Sequence, residues 1–421
     1  MNSRERVLTA FMHQEADRVP VDFGGLSCGT MHASCIAKLR DYFGLEKRPV
    51  KVLEPFIMIG EIDEDLKALI GVDACAVMGQ TTAFGQKREN WKEWELPDGT
   101  PVLVPGDFEV TGDGKGGWYL YPQGDITVEP SGHMPQNGLY FDPIARQEDL
   151  DIEDFDVEDN KADYKLWDEQ TILHFEREAL KKRQSGRFVV AEFGTSLGDI
   201  AFIAAPFEKY PKGLRKMDEW LMATSLRPSF IKEIFEYQTD IAIENFEKLT
   251  KTTVESIDAV YICGTDMGMQ QNIFYSLDVL NDLFMPYYKK LNSWIHNNFG
   301  WKTIKHSCGA NEPIIPLFIE AEFDCFNPVQ CSAKGMDPRM LKEKYGRDIV
   351  LWGGGIDTQQ VLPFGTPEQT RAQVFERMEI FSKGGGYVFN AIHNVQPAPI
   401  ENIVAMLNAA REYNGLLPLA R

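Results

Sequence analysis

The sharpest chemical pattern in the sequence is a histidine and a cysteine two residues apart, His306 and Cys308. Side chains at i and i+2 of an extended segment point to the same side, so the imidazole and the thiol would face one point. Zn²⁺ accepts both ligand types, and a catalytic zinc site combines three protein ligands with one open position. The pattern makes both residues candidate zinc ligands. The alternative is a polar strand end whose histidine is satisfied by hydrogen bonds.

Two residues compete for the place of the third ligand. His393 follows the last predicted strand and could reach across the mouth of a closed sheet. Cys331 follows the strand that comes directly after the His306 strand. Both residue types are zinc ligands, so both alternatives stand.

Further polar residues fall at or after the carboxyl ends of other predicted strands. We predict that Asp266 and Glu192 are catalytic carboxylates and that Gln270, Gln330 and Asp357 bind the substrate. Each aspartate could instead cap the helix that follows it. Because the carboxyl ends of parallel strands share one rim, residues from several strands would meet there.

The elements that would position these residues alternate between short apolar strands and amphipathic helices. The predicted strands are residues 19–23, 74–78, 188–193, 259–263, 303–306, 324–327, 349–352 and 387–390. The predicted helices include one capped by Asn2 and Glu5, and residues 35–43, 61–69, 229–249, 277–296, 338–344 and 367–381. This alternation predicts an α/β fold with a parallel sheet, and eight units suggest a closed (β/α)8 TIM-type barrel over an open sheet.

The segment from about 84 to 141 has a different texture, rich in Gly, Trp, Tyr, Thr and Val. The run from Glu95 to Thr100, ELPDGT, lies between WKEWEL and PVLV and is typical of a hairpin turn. We predict an antiparallel β meander inserted after the second strand, here called the insertion, that forms a lid or rim. Residues 1–421 would then be a single domain.

Composition excludes several classes of partner. The formal net charge of the 421 residues is −20, which disfavours binding to nucleic acid or anionic membranes. An acidic run at 147–158 is interpreted as a solvated face, the alternative being a docking patch for a basic partner. Seven dispersed cysteines, no signal-peptide pattern and no long apolar stretch predict a reduced, cytoplasmic protein.

Several segments resemble a known superfamily. They are DRVPVDFGG from Asp17, HSCG from His306, NPVQCSAKGMDP from Asn327, LKEKYGRDIVLWGGGIDTQ from Leu341, LPFGTPEQ from Leu362, GGGYVFNAIHNVQ from Gly384 and PIENIVAM from Pro399. Together they resemble the uroporphyrinogen decarboxylase superfamily, over the stretch up to Gly25 and most of the chain from about Ala259. The resemblance implies a distorted TIM barrel.

The superfamily contains two chemistries, cofactor-free decarboxylation of a tetrapyrrole and zinc-assisted methyl transfer involving a cobalamin carried on a corrinoid protein. True decarboxylases of the family carry an arginine-bearing segment after the first strand. Residues 22–29 of this chain read DFGGLSCG and contain no cation. A polycarboxylate in such a pocket would lack compensating charge. The resemblance therefore favours the methyltransferase branch, with a decarboxylase-like lyase acting on a carboxylated substrate as the alternative.

The zinc pattern of that branch is His-x-Cys followed by a distant cysteine. His306 and Cys308 match the pair, whereas His393 stands near the third place. This departure disfavours a thiol substrate and favours a small O- or N-methylated donor, such as a methoxylated aromatic or a methylamine, with zinc as Lewis acid. The resemblance further implies a partner corrinoid protein that supplies the cobalamin, with the insertion as one candidate docking surface. It is also compatible with a homodimer.

Overall fold

The computed structural model describes residues 1–193, 197–199, 202–263, 265–392 and 394–419. The helices are α1 (Ser3–Phe11), α2 (Ala33–Tyr42), α3 (Glu64–Ile70), α4 (Val157–Lys161), α5 (Glu169–Arg183), α6 (Met217–Leu226), α7 (Pro228–Glu247), α8 (Lys251–Ser256), α9 (Leu277–Leu283), α10 (Met285–Asn298), α11 (Ile315–Glu320), α12 (Pro338–Tyr345), α13 (Val361–Phe364), α14 (Pro367–Ser382) and α15 (Ile400–Tyr413). Short 3₁₀ turns occupy Ser27–Gly29, Pro122–Gly124, Ile152–Asp154 and Glu312–Ile314.

The strands are β1 (Val50–Glu54), β2 (Ile59–Gly60), β3 (Ala74–Met78), β4 (Lys92–Glu95), β5 (Pro101–Val104), β6 (Val110–Gly112), β7 (Trp118–Leu120), β8 (Gly132–Met134), β9 (Asp142–Pro143), β10 (Phe188–Glu192), β11 (Ala259–Cys263), β12 (Lys302–His306), β13 (Cys325–Asn327), β14 (Val350–Trp352) and β15 (Tyr387–Val388). They form a seven-stranded parallel sheet and two four-stranded sheets.

The seven-stranded sheet runs β3-β10-β11-β12-β13-β14-β15, with every neighbouring pair parallel. The segment predicted as the first strand lies between its two edges. Val21 forms a parallel bridge with Phe389 beyond β15, and the Val21 carbonyl accepts from the Asp73 N–H just before β3 at 2.7 Å. The curled sheet is that of a TIM-type (β/α)8 fold, which confirms the predicted fold class.

Alternate residues of the barrel strands pack into two different cores. Phe188 and Val190 of β10 contact the inner cluster, together with Trp352, whereas Val189 and Ala191 join the larger cluster shared with the helices. Helix α1 closes one end of the inner cluster, with the Phe11 ring stacked 5.4 Å from the Phe188 ring. Strands buried on both faces explain the near-continuous apolar runs in the sequence.

The helix predictions hold with one difference. The predicted capping box at Asn2 and Glu5 is present. The single helix predicted for residues 277–296 is instead two helices, α9 and α10, which meet at Phe284. Pro286 explains the break, because proline lacks an N–H and is favoured in the first turn of a new helix.

The insertion contains antiparallel pairs β4–β5, β6–β7 and β7–β8, and β8 pairs with β9 just beyond it. Strand β5 also pairs in parallel with β1, which in turn pairs with β2. Neither β1 nor β2 was predicted. Only Val50 and Val52 are buried in β1, too short an alternation for a strand to be recognised. No helix among the described residues is long and apolar enough to cross a membrane.

Candidate metal centre

Three side chains of the described residues converge at the carboxyl ends of β11 and β12. The Cys308 Sγ atom lies 3.6 Å from His306 Nε2, and an Asp266 carboxylate oxygen lies 3.7 Å from the same nitrogen. One ligand atom from each of these residues falls within 4.8 Å of the other two. An imidazole, a thiol and a carboxylate at this spacing form a donor set that suits Zn²⁺. The structure thus brings together the predicted pair and Asp266.

The tautomer of His306 follows from its neighbour Asn327. The Asn327 amide donates from Nδ2 to the carbonyl of Trp352 at 3.0 Å, so its Oδ1 faces His306 Nδ1, 2.7 Å away. An amide oxygen accepts only, so Nδ1 must carry the proton and Nε2 keeps its lone pair toward Cys308 and Asp266. A metal-binding histidine is commonly oriented by such a partner on its other nitrogen.

Burial sets the charge state of the two predicted ligands in the metal-free chain. Burial lowers the pKa of His306 to about 4, which keeps the imidazole neutral. Burial, reinforced by the Asp266 carboxylate, raises the pKa of the Cys308 thiol well above its ordinary value. Both pKa shifts disfavour the charged form of the side chain when no counter-ion is nearby. A bound cation would instead favour the thiolate of Cys308.

The loops that follow β11 and β12 lie in close contact and are joined by a side-chain and a backbone hydrogen bond. Asp266 Oδ1 accepts from the Cys308 N–H at 2.6 Å, and the Ala310 N–H donates to the Met269 carbonyl at 2.8 Å. A Cβ on Gly309 would lie 2.3 Å from the backbone carbon of Gly268, so this approach needs glycine. The positions of Asp266 and Cys308 are therefore coupled.

Cys28 is a site residue that the sequence did not single out, because an isolated cysteine is most often a small apolar core residue. Its Sγ atom lies 3.5 Å from His306 Nδ1, 3.7 Å from Asn327 Oδ1 and 4.0 Å from the Tyr261 hydroxyl. Burial, followed by the Glu192 carboxylate, raises the pKa of the Cys28 thiol well above its ordinary value. Its place in the segment that follows the first predicted strand, residues 19–23, is the signal that could have identified it.

Two carboxylates lie near Cys28, the buried Asp22 and the half-buried Glu192. Glu192, predicted as catalytic, accepts from the Ser27 N–H, and burial raises its pKa. Asp22 accepts from the Gly25 N–H at 2.6 Å and from the Trp352 indole at 3.0 Å, and burial raises its pKa to about 7. Asp22 was not predicted. Both carboxylates raise the pKa of the Cys28 thiol, so this side of the barrel mouth carries acidic groups.

The predicted substrate-binding glutamines bond to each other. Gln330 accepts from the Gly309 N–H at 2.8 Å and donates to Gln270 Oε1 at 3.0 Å. Gln270 is exposed and donates to the Ser332 carbonyl at 2.6 Å. Of these two glutamines, Gln270 alone is therefore exposed to solvent at the rim.

The remaining predicted residues lie elsewhere. Asp357 accepts from the N–H groups of Gln359 and Gln360 at 2.8 and 3.0 Å, which holds the turn before α13; the N-cap residue of that helix is Gln360, and no side chain caps it. Cys331 is not part of the Asp266–His306–Cys308 group; its thiol lies beside Gly354, and burial raises its pKa to about 12. His393 lies outside the described residues.

Comparison with known proteins identifies the family. Residues 182–413, more than half of the chain, match the family described as uroporphyrinogen decarboxylase (URO-D). The chain belongs to the URO-D family. The match includes β10 to β15 and so covers all three members of the candidate metal centre.

Individual relatives are distant. Uroporphyrinogen decarboxylases from three strains of Coxiella burnetii are each 23% identical over 186 residues, which is 42% of this URO-D family chain and 49% of the relative. The chain thus spans about half the length of these curated relatives. A solved structure of a methyltransferase from Methanosarcina mazei superposes with a TM-score of 0.55 at 13% identity, covering 98% of this chain and 99% of that one. That likeness extends the shared fold beyond the matched region.

Proposed function

We propose that this URO-D family protein is a zinc-dependent methyltransferase, which moves a methyl group from a small O- or N-methylated donor to the cobalamin of a partner corrinoid protein. The observation that carries the proposal is the convergence of Asp266, His306 and Cys308 around one point, with Asn327 keeping the His306 proton on Nδ1, away from that point. The solved structure that superposes on this chain is named as a methyltransferase, which supports the same type of function.

His306 and Cys308 would hold the metal, with Asp266 as the third donor in this arrangement. When bound there, zinc supplies Lewis acidity that draws electron density from the heteroatom that loses its methyl group. The chain's own residues position the ligands. Asn327 keeps Nε2 of His306 deprotonated, and the Asp266 carboxylate accepts from the Cys308 N–H and so fixes the backbone at Cys308. Their shared rim is where the donor would be oriented for transfer.

The alternative is a decarboxylase-like lyase acting on a carboxylated substrate, which the names of the curated relatives favour. The charges near the centre disfavour it. Asp22 and Glu192 flank Cys28, and the guanidinium of Arg88 is already engaged by Glu54 at 3.2 Å. The Lys305 ammonium is fully buried and donates to two backbone carbonyls. A polyanionic substrate would therefore meet carboxylates more readily than cations.

Metal content is the first test. The purified protein should contain about one zinc per chain, measured by elemental analysis, and the His306→Ala and Cys308→Ala variants should lose it. His174→Ala is the matched control, because that histidine bonds the Met78 carbonyl and is not part of the Asp266–His306–Cys308 group. His393→Ala tests whether His393 is a ligand as well. Absence of zinc from the wild type would remove the Lewis-acid mechanism and promote the lyase.

Transfer itself is measured by the absorbance change of cob(I)alamin on methylation, with methoxylated aromatics and methylamines as donors. Wild-type protein should accelerate the change and Cys308→Ala should not. Full activity in Cys308→Ala, or no reaction with any donor class, would contradict the proposal.

We further propose that residues 1–421 act as one domain and that the insertion contributes to corrinoid docking. The insertion contacts the rest of the chain through the His32 ring and the Leu139 carbonyl, and through Gln123 and the Phe207 carbonyl. Deleting it should abolish binding of the corrinoid protein in a pull-down with purified components. Unchanged binding would assign docking to another part of the rim.

A further inference from the structure

We propose that Gln330 is a positioning residue for the metal centre, acting through the Gly309 N–H on the turn that carries Cys308, and is not a substrate ligand. This inference rests on the proposed function, because it concerns the metal that His306 and Cys308 are proposed to hold. It replaces the role that the sequence suggested for Gln330.

Both polar atoms of the Gln330 amide bond to neighbouring protein groups. Its side chain lies at the edge of burial, with 9% of the residue exposed. Its Oε1 accepts from the Gly309 N–H at 2.8 Å, and its Nε2 donates to Gln270 Oε1 at 3.0 Å. Both polar atoms thus bond to protein groups of the neighbouring loops and hold those loops together.

The bond to Gly309 acts on the residue directly after Cys308. Consecutive N–H groups of this turn are held by side chains from two neighbouring loops: Asp266 accepts from Cys308 and Gln330 accepts from Gly309. The first acceptor follows β11 and the second follows β13, so the turn after β12 is fixed from both sides. Fixing two successive peptides fixes the direction of the Cα–Cβ bond of Cys308 and with it the place of the thiol.

The other end of the network reaches the rim. Gln270 donates to the Ser332 carbonyl at 2.6 Å, and the exposed Gln359 donates to Gln270 Oε1 at 3.4 Å and accepts from the Ser332 hydroxyl at 3.0 Å. The short bond to the Ser332 carbonyl keeps Gln270 in the orientation that receives the Gln330 amide. Gln359 is thus the same residue type at the solvent-exposed end, without a contact to the Cys308 turn, and it serves as the matched control.

The test titrates the purified, metal-free protein with cobalt(II) alone and records the thiolate-to-cobalt absorption band. Gln330→Leu leaves the buried Gly309 N–H without its acceptor and should weaken cobalt binding by about 10- to 100-fold, the range typical of partners that orient metal ligands. At saturating cobalt its absorption band should also change shape. Gln330→Glu keeps an acceptor for Gly309 and should bind cobalt no more weakly than the wild type. Gln359→Leu should match the wild type in affinity and spectrum.

Each outcome bears on the proposal. A Gln330→Leu variant with wild-type affinity and spectrum overturns the positioning role while leaving the proposed function standing. Equal losses in Gln330→Glu and Gln330→Leu also overturn it, because the Gly309 acceptor would not be the cause. Failure of the wild type to bind cobalt removes the proposed metal chemistry, and this inference with it. Loss in Gln330→Leu with rescue by Gln330→Glu supports the proposal.

Discussion

The candidate metal centre and the insertion are held in place by different forces. At the centre, buried polar groups are matched one to one: His306 with Asn327, the Cys308 N–H with Asp266 and the Gly309 N–H with Gln330. In the insertion, aromatic rings pack edge to face, with centroid distances of 5.2 Å for Trp94 and Phe108 and 6.0 Å for Phe108 and Phe141. Hydrogen bonds are directional and fix the positions of single atoms, whereas apolar packing is non-directional and depends on how well the side chains fill the space between them.

The two regions therefore tolerate different substitutions. Apolar packing is lost in proportion to the volume removed, whereas a directional network is lost when one partner can no longer accept or donate.

Phe108→Ala should have the largest effect on stability. Phe108 is 2% exposed and contacts both Trp94 and Phe141, so its truncation leaves a cavity that costs about 3–5 kcal/mol of unfolding free energy. The metal centre should keep its affinity. Urea denaturation and zinc titration on the same sample check both statements, and a parallel loss of zinc affinity would break the contrast between the regions.

Gly309→Ala should cost about 2–5 kcal/mol, the sum of left-handed strain and overpacking. Gly309 has a φ of +96°, and an added Cβ would lie 2.3 Å from the Gly268 backbone. Gly114 of the insertion is the control, because its φ is +75° with no atom within 4 Å of an added Cβ. Only Gly309→Ala should weaken zinc binding. Equal effects of the two variants on affinity would show that the rim loops are not coupled.

Asn327→Leu should weaken zinc binding by about 10- to 100-fold, because the His306 ring loses the partner that sets its tautomer. Asn327→Asp keeps an oxygen acceptor toward Nδ1 and should retain most of the affinity. Competition with a chromogenic chelator measures both. Wild-type affinity in Asn327→Leu would show that the strand end alone orients His306.

The smallest effect is a pH dependence in the insertion. The His133 ring, 2.9 Å from Asp113, and the N–H groups of Lys115 and Gly117 lower the pKa of Asp113 from 3.8 to about 2. A carboxylate with a lowered pKa contributes stability above its unfolded pKa and loses it as the pH falls through the folded value. Asp113→Asn should therefore flatten the stability profile of the wild type between about pH 4 and pH 2. Unchanged profiles in acid denaturation would remove Asp113 as a contributor.

Most of the fold could be predicted from the sequence. The segments 74–78 and 259–263 were predicted with the bounds that the structure has, because short β-branched and apolar runs between helices are a local signal. The strand β1 was missed because its pairing with β5 joins Val50 to Val102. Such a pairing depends on a partner strand distant in the sequence, which the local residue pattern of β1 does not identify.

The sequence by itself set His306 and Cys308 two residues apart, a spacing that predicts both side chains on one side of an extended segment. Only the tertiary structure decided what meets them there. Cys28 comes from 278 residues away, and Asn327 and Asp266 come from the neighbouring strands β13 and β11. Closure of the barrel sets these contacts, and the strand register that sets them is decided by packing across the whole sheet.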